Sequence, residues 1–227
     1  MRKSPIRIAV GLVLAAIALA GCTPLEQEDS GPDWSKYPAH AYIDADAVRT
    51  EFGSAETEAR AESILASVRE AIEARYGIGG WTIRHNHEWT PFGGNGYGGP
   101  SMLTAYTSPV WEAAAEIPQD KWASIIHTVR EIAATNGMRE RSAEGERQPD
   151  WMTLGSYKGK LEYLEVIVQD ARLSKEELRL AEMRHLLIAG ITLSYGNTTV
   201  ADEKADEFEK ATLLFTGRER PEATTPD

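Results

Sequence analysis

ETEARAESILASVREAIEARYGIGGWTIRHNHEW, residues 56–89, changes its period once, at the glycines. From Glu56 to Tyr76 the apolar positions Ala61, Ile64, Leu65, Val68, Ala71, Ile72 and Tyr76 recur at three and four, with Glu and Arg opposite, which predicts an amphipathic helix. Gly77, Gly79 and Gly80 end it, and Trp81 to Trp89 then alternate as one strand, with Trp81, Ile83, His85, His87 and Trp89 on one face. A helix followed directly by a strand of the opposite period marks a layered α+β protein.

Working outward, the glycine-rich loop Gly93-Gly94-Asn95-Gly96-Tyr97-Gly98-Gly99-Pro100 leads to a second β-like run, Met102 to Val110, so the two runs are expected to form a long-looped hairpin. A second helix follows Pro118, with Trp122, Ile125, Ile126, Val129, Ile132 and Ala133 on one face, and stops at Asn136-Gly137. Short β-type runs follow at 138–143, 152–157 and 161–168, with Lys158-Gly159 as a tight turn. Ser67-Val68-Arg69-Glu70 matches Thr128-Val129-Arg130-Glu131 at an offset of 61, a hint of an α-β-β unit used twice. Ser174-Lys175-Glu176-Glu177 is a capping box opening a helix over 174–184; 186–195 reads as a strand broken by Gly196-Asn197, and Thr199 to Phe215 as an acidic helix using Ala201, Ala205, Phe208, Thr212 and Phe215. The expected fold is a two-layer α+β domain over 39–216, a mostly antiparallel sheet with helices on one face.

Before that domain the chain has another character. Residues 1–21 carry Arg2, Lys3 and Arg7, then an unbroken apolar run from Ile8 to Ala20 that falls short of the roughly 20 residues a bilayer span needs. The run ends in Leu19-Ala20-Gly21-Cys22, a lipobox closing a secretory signal. Cys22 is the chain's sole cysteine, so the expected product is a thioether-lipidated Cys22 at the new N-terminus, its acyl chains (palmitate among them) holding the protein to membrane lipid on the extracytoplasmic face. Residues 22–38 read as a solvated tether and 217–227 as a disordered tail. With no cysteine left after lipidation, no disulfide is available.

Of the 227 residues, 42% are hydrophobic and 26% charged, and the net charge is −11, or −14 over residues 22–227. Nucleic acid is excluded as a partner on that balance. The chain has no Gly-x-Ser-x-Gly, Ser-x-x-Lys, His-Glu-x-x-His or Walker sequence, so no catalytic residue, cofactor or metal is assigned. His85 and His87, an i, i+2 pair on one strand face, lack further ligands nearby in sequence. His127 and Glu131 stand one helical turn apart with no visible nucleophile. Asp202 to Glu209 reads as a solvated helix face without calcium-loop spacing.

The candidate ligand site is the glycine loop with its aromatics: Trp89, Phe92, Gly93, Gly94, Asn95, Gly96 and Tyr97. Glycines free the backbone to turn N–H groups outward as an anion nest, and the three rings offer stacking surface for a sugar or peptide. The leading expectation is a non-enzymatic envelope module binding a protein or small ligand; the alternative is an envelope hydrolase with a dispersed site built from His85 or His127 and distant carboxylates.

Lipobox, tether, helix, tryptophan-led strand, glycine-rich loop, second helix ending in Asn-Gly and closing β-rich segment together resemble the LppA-like lipoproteins of actinobacteria over residues 19–197. The resemblance implies an envelope location and an α+β fold and carries over no catalytic residue. Members often carry cysteines near the glycine loop and in the last strand, where this chain has Gly94 and Gly196-Asn197.

Overall fold

The period-3.6 stretch forms helix α2, Ser54–Tyr76, which buries Ala61, Ile64, Leu65, Val68 and Ile72 and ends at Gly77 in the left-handed conformation, φ +68°. In the computed structural model, residues 31–141, 150–170, 179 and 187–224 are described, and they show an α+β fold with helices on one side of an eight-stranded antiparallel sheet. The chain divides into two units, 1–33 and 34–227. The expected signal, Cys22 and the first part of the tether lie outside the described residues, as do the helix expected over 174–184 (except residue 179) and residues 142–149 and 225–227.

The strands are β1 (Thr82–His85), β2 (Glu88–Pro91), β3 (Leu103–Thr107), β4 (Val110–Ala114), β5 (Arg139–Glu140), β6 (Met152–Lys158), β7 (Glu162–Gln169) and β8 (Gly190–Val200). The other helices are α1 (Ala45–Arg49), α3 (Gln119–Thr135) and α4 (Ala205–Leu213). β8 is the axis of the sheet. One of its edges is shared by β4 and β3 in succession, with β1 and β2 beyond them, and the other carries β7, β6 and β5. α2 precedes β1 to β4 and α3 precedes β5 to β7, and the two sets flank β8.

Three expectations are corrected here. The run Trp81–Trp89 is not one strand, nor is 102–110: both arms of the hairpin break, at Asn86-His87 and at Ser108-Pro109. Pro109 has no N–H to give the ladder, and Ser108 covers the gap, its N–H donating to the Tyr195 carbonyl (2.8 Å) and its Oγ accepting from the Tyr195 N–H (2.9 Å). Second, Gly196-Asn197 does not break β8, which runs to Val200. Gly196 is paired on both sides, with Tyr163 and Thr107, and a Cβ there would stand 2.3 Å from the Tyr163 ring. Asn197 is buried and its amide donates to Thr57 Oγ1 of α2 (3.0 Å). Tertiary pairing overrides the local turn propensity of Gly-Asn. Third, the last helix runs only from Ala205 to Leu213, because Thr199 and Val200 are taken by β8 and residues 202–204 form a 3₁₀ turn; Phe208 and Thr212 are buried as its period requires, while Phe215 is buried beyond its end.

The main core lies between α2, α3 and the sheet: Ile64, Leu65, Val68 and Ile72 meet Ile125, Val129 and Ala133 above Leu164, Val166, Val168, Ile191, Leu193 and Tyr195. Burying each such aliphatic side chain contributes roughly 1.5–3 kcal/mol. A second cluster unites Tyr37, Ala45, Val48, Tyr97, Leu103, Val200, Phe208 and Phe215, with Trp34 packed against it. Trp34 and Tyr37, which composition places in the tether, are thus anchored, their rings 5.1 and 5.3 Å from that of Phe215.

Gly53 offers no side chain to cap α2; instead Asp202 accepts from the N–H groups of Ser54 (2.7 Å) and Ala55 (3.1 Å). Those bonds hold its carboxyl below the ordinary range. Because the folded value is depressed, the stabilisation is present above the unfolded value near pH 4 and is lost as pH falls through the folded one. Asp202→Ala is expected to cost about 1 kcal/mol at pH 7, with the difference from the parent vanishing in urea titrations at strongly acidic pH.

Candidate functional site

The glycine loop spans residues 92–102 between β2 and β3, closed by the Phe92 N–H donating to the Leu103 carbonyl (3.1 Å). Its centre is Asn95, fully buried. The Asn95 amide nitrogen donates to the carbonyls of Trp34 (3.2 Å), Ser35 (3.0 Å) and Tyr37 (2.9 Å), while its Oδ1 accepts from the N–H groups of Tyr97 (2.9 Å) and Gly99 (3.1 Å). The nest that glycines permit is therefore filled from within by the loop's own asparagine. Gly96 adopts φ +78° and Gly98 φ +84°, and a Cβ on Gly99 would stand 1.7 Å from the Ser35 carbonyl oxygen, so Gly99 is required for close approach.

On the outer side of this loop lies a cleft of about 780 Å³, lined by His40, Tyr42, Ile43, Phe92 and the glycines, in the size range of small-molecule sites. His40 is buried, its Nδ1 accepting from the Tyr42 N–H (3.4 Å), and its ring lies 5.4 Å from that of Tyr42 and 5.9 Å from that of Phe92. Residues 217–224, the expected tail, run past the same loop: the Thr224 N–H donates to the Gly96 carbonyl (2.8 Å) and Tyr97 Oη to the Pro221 carbonyl (3.2 Å).

Of the candidate residues, Phe92, Gly93, Gly94, Asn95 and Gly96 line the cleft. Trp89 and Tyr97 do not join them. Trp89 packs on Tyr106 (4.7 Å between rings) beside the main core, its indole N–H donating to Glu58 of α2 (2.8 Å), and Tyr97 is buried in the second cluster. His40 and Tyr42, which complete the cleft, had no sequence signal beyond standing in an aromatic segment ahead of α1.

The histidine readings resolve by geometry. β1 carries a bulge between Ile83 and His85, where Ile83 pairs with Trp111 and His85 with Val110. Since successive residues of β4 point to opposite faces, His85 faces away from Ile83, whereas His87 stacks near Tyr106 of the core side, 6.3 Å between rings. The pair does not share a face, and no group of three or more metal-ligating side chains exists among the described residues. His127 lies 3.5 Å from Glu131, both more than half exposed on α3, and Glu131 is shared with Arg75 (3.1 Å).

A second polar centre, absent from the sequence reading, lies under α2. Arg60 holds Glu162 with two bonds, Nε to Oε2 and a terminal nitrogen to Oε1, both 2.7 Å, and donates to the Asn136 carbonyl at the end of α3 (2.7 Å). Tyr195 Oη donates to Glu162 Oε2 (2.5 Å); burial first, then the carboxylate, push its phenol far above the ordinary range. Both Glu162 oxygens are engaged and the residue is buried, so the arrangement ties α2, α3, β7 and β8 together.

No protein-family model matches the chain, and no curated protein matches it. A crystal structure of LppA, a candidate lipoprotein of Mycobacterium tuberculosis, is similar over 81% of this chain and 91% of that one, with a TM-score of 0.42 and 11% identity. The likeness is distant and assigns no family.

Proposed function

We propose that this chain is a membrane-anchored lipoprotein of the cell envelope, lipidated at Cys22 and displayed on the extracytoplasmic face, whose folded unit is a non-enzymatic binding module. The observation that carries the reading is the apolar run Ile8–Ala20 ending in Leu-Ala-Gly-Cys at the chain's sole cysteine. Among the described residues no helix is long and apolar enough to cross a membrane. The cleft beside the glycine loop supports the binding part: it is walled by Phe92 and Tyr42 with exposed peptide backbone between them, and its shape is fixed by Asn95 before any ligand arrives.

One experiment in cells addresses both parts. Gly93 has open space where a Cβ would stand and an ordinary φ, so a photo-reactive residue fits there. Grown with an alkynyl fatty acid, the chain is expected to carry the label, to lose it on Cys22→Ala, and to give a discrete crosslinked adduct from position 93. An unlabelled chain contradicts the anchor; a labelled chain without an adduct contradicts the binding site.

A further inference from the structure

The register of the sheet places three basic residues together on the face turned away from the helices. Arg130 of α3 donates to Glu140 of β5 (2.8 Å), and Tyr157 of β6 donates to the Ile126 carbonyl of the same helix (2.9 Å). Their chain neighbours therefore point the other way, Arg139 and Arg141 from β5 and its continuation, Ser156 and Lys158 from β6. Arg139 stands directly opposite Lys158, and the Arg141 N–H donates to the Ser156 carbonyl (2.8 Å), which continues the pairing. Beyond β6 the same two rows run on to Tyr163, opposite Lys158, and to Glu165, opposite Ser156. Tyr163 lays its ring over Gly196 of β8, on the side away from Lys158. A cavity of about 320 Å³ lies here, with Arg141, Ser156, Lys158, Tyr163 and Glu165 on its walls.

Such a cluster runs against the rest of the molecule. Residues 22–227 carry a net charge of −14, and Arg49, Arg60, Arg69, Arg75, Arg84 and Arg130 each pair with a carboxylate. Arg139, Arg141 and Lys158 pair with none among the described residues. Like charges set directly opposite each other across two strands destabilise the pairing. Guarding an outermost strand against edge-to-edge pairing accounts for arginines on β5. It does not account for Lys158, one strand further in and opposite Arg139, or for the cavity beside them.

Glu162 also borders this cavity, but its carboxylate is taken by Arg60 and Tyr195. Three cations facing one further carboxylate, Glu165, leave two positive charges. A phosphate monoester carries about 1.5 to 2 negative charges at neutral pH and offers three acceptor oxygens. The guanidinium fork of Arg141, the ammonium of Lys158 and the Ser156 hydroxyl are donors suited to such a group. A lone carboxylate, with its single charge, leaves part of that field unanswered.

We propose that this cavity binds a phosphate monoester, with Arg141 and Lys158 on the phosphate oxygens, Ser156 donating its hydroxyl and Arg139 adding charge at the rim. The site shares no residue with the glycine-loop cleft and does not depend on the envelope reading. The protein extracted from bacterial membranes in a neutral detergent is dialysed to equilibrium against radiolabelled inorganic phosphate at neutral pH. One saturable site is expected. Arg141→Gln and Lys158→Gln, both on exposed side chains, should each weaken it about tenfold. Lys121→Gln, on exposed α3 across the sheet, should leave it unchanged, and Glu165→Gln should tighten it by removing the opposing charge. Displacement of the label then distinguishes the source. Glycerol 3-phosphate competing as well as dihexanoyl phosphatidic acid marks a soluble phosphate monoester, a preference for the phosphatidic acid marks a lipid headgroup, and either result supports the proposal. Binding that does not saturate, that survives both Arg141→Gln and Lys158→Gln, that falls as much with Lys121→Gln, or that acetate displaces as well as glycerol 3-phosphate would overturn it.

Discussion

Arg60→Met is expected to lower the unfolding free energy by about 3 kcal/mol, the low end of what removing one member of a buried ion pair costs, because Arg60 keeps some contact with solvent. The loss follows from what stays behind. Glu162 would remain buried with a full charge and only the Tyr195 phenol to answer it, and the Asn136 carbonyl would lose its donor at the end of α3. Adding Glu162→Gln removes that charge while keeping an acceptor for Tyr195, so the double variant is expected to recover at least half of the loss. Urea titrations at neutral pH check both. A single variant as stable as the parent, or a double variant no better than the single, would mean that Glu162 is not held as described.

The second large effect is at Asn95. Its side chain closes five hydrogen bonds that join the glycine loop to residues 34–37, and each is worth roughly 0.5–1.5 kcal/mol. Asn95→Ala is expected to cost about 3 kcal/mol. Asn95→Asp, though it matches in shape, should cost at least as much: an ionised carboxylate keeps the bonds from Tyr97 and Gly99 but turns an oxygen toward three carbonyls that now receive a donor. The same titrations measure the loss, and the exchange of the Tyr97 and Gly99 amides with solvent deuterium should quicken in both variants. An aspartate variant as stable as the parent would contradict the assignment of the amide.

How far the sequence foretells this molecule depends on whether the deciding interaction is local. α2 and α3 were legible because burial every third or fourth residue is written into the chain, and their ends because Gly77 and Asn136-Gly137 supply their own stop. The hairpin was legible in outline, yet its break was not: Pro109 is visible, but the Ser108 bonds that repair the ladder depend on Tyr195 from a distant strand. Gly196-Asn197 misled for the same reason, since the Tyr163 ring and the Thr57 hydroxyl that keep β8 straight come from elsewhere. At the candidate site the glycines and Phe92 are legible from composition, whereas the structural role of Asn95, which holds the loop, depends on carbonyls of residues 34–37 that lie far off in sequence. Trp89 and Tyr97 are close to these residues in sequence only: strand alternation sends Trp89 toward α2 and the loop turns Tyr97 inward. Arg60 and Glu162 gave no signal, because charged residues 102 positions apart announce no pairing until the sheet brings them together.

The proposed envelope location depends on the chemistry at one sulfur atom. Intact-mass analysis of the chain extracted from bacterial membranes measures it directly: residues 1–21 should be gone and Cys22 should carry a diacylglycerol thioether, with or without a further acyl chain on its amine. A chain that retains residues 1–21, or a processed chain whose Cys22 is a bare thiol, would contradict the account.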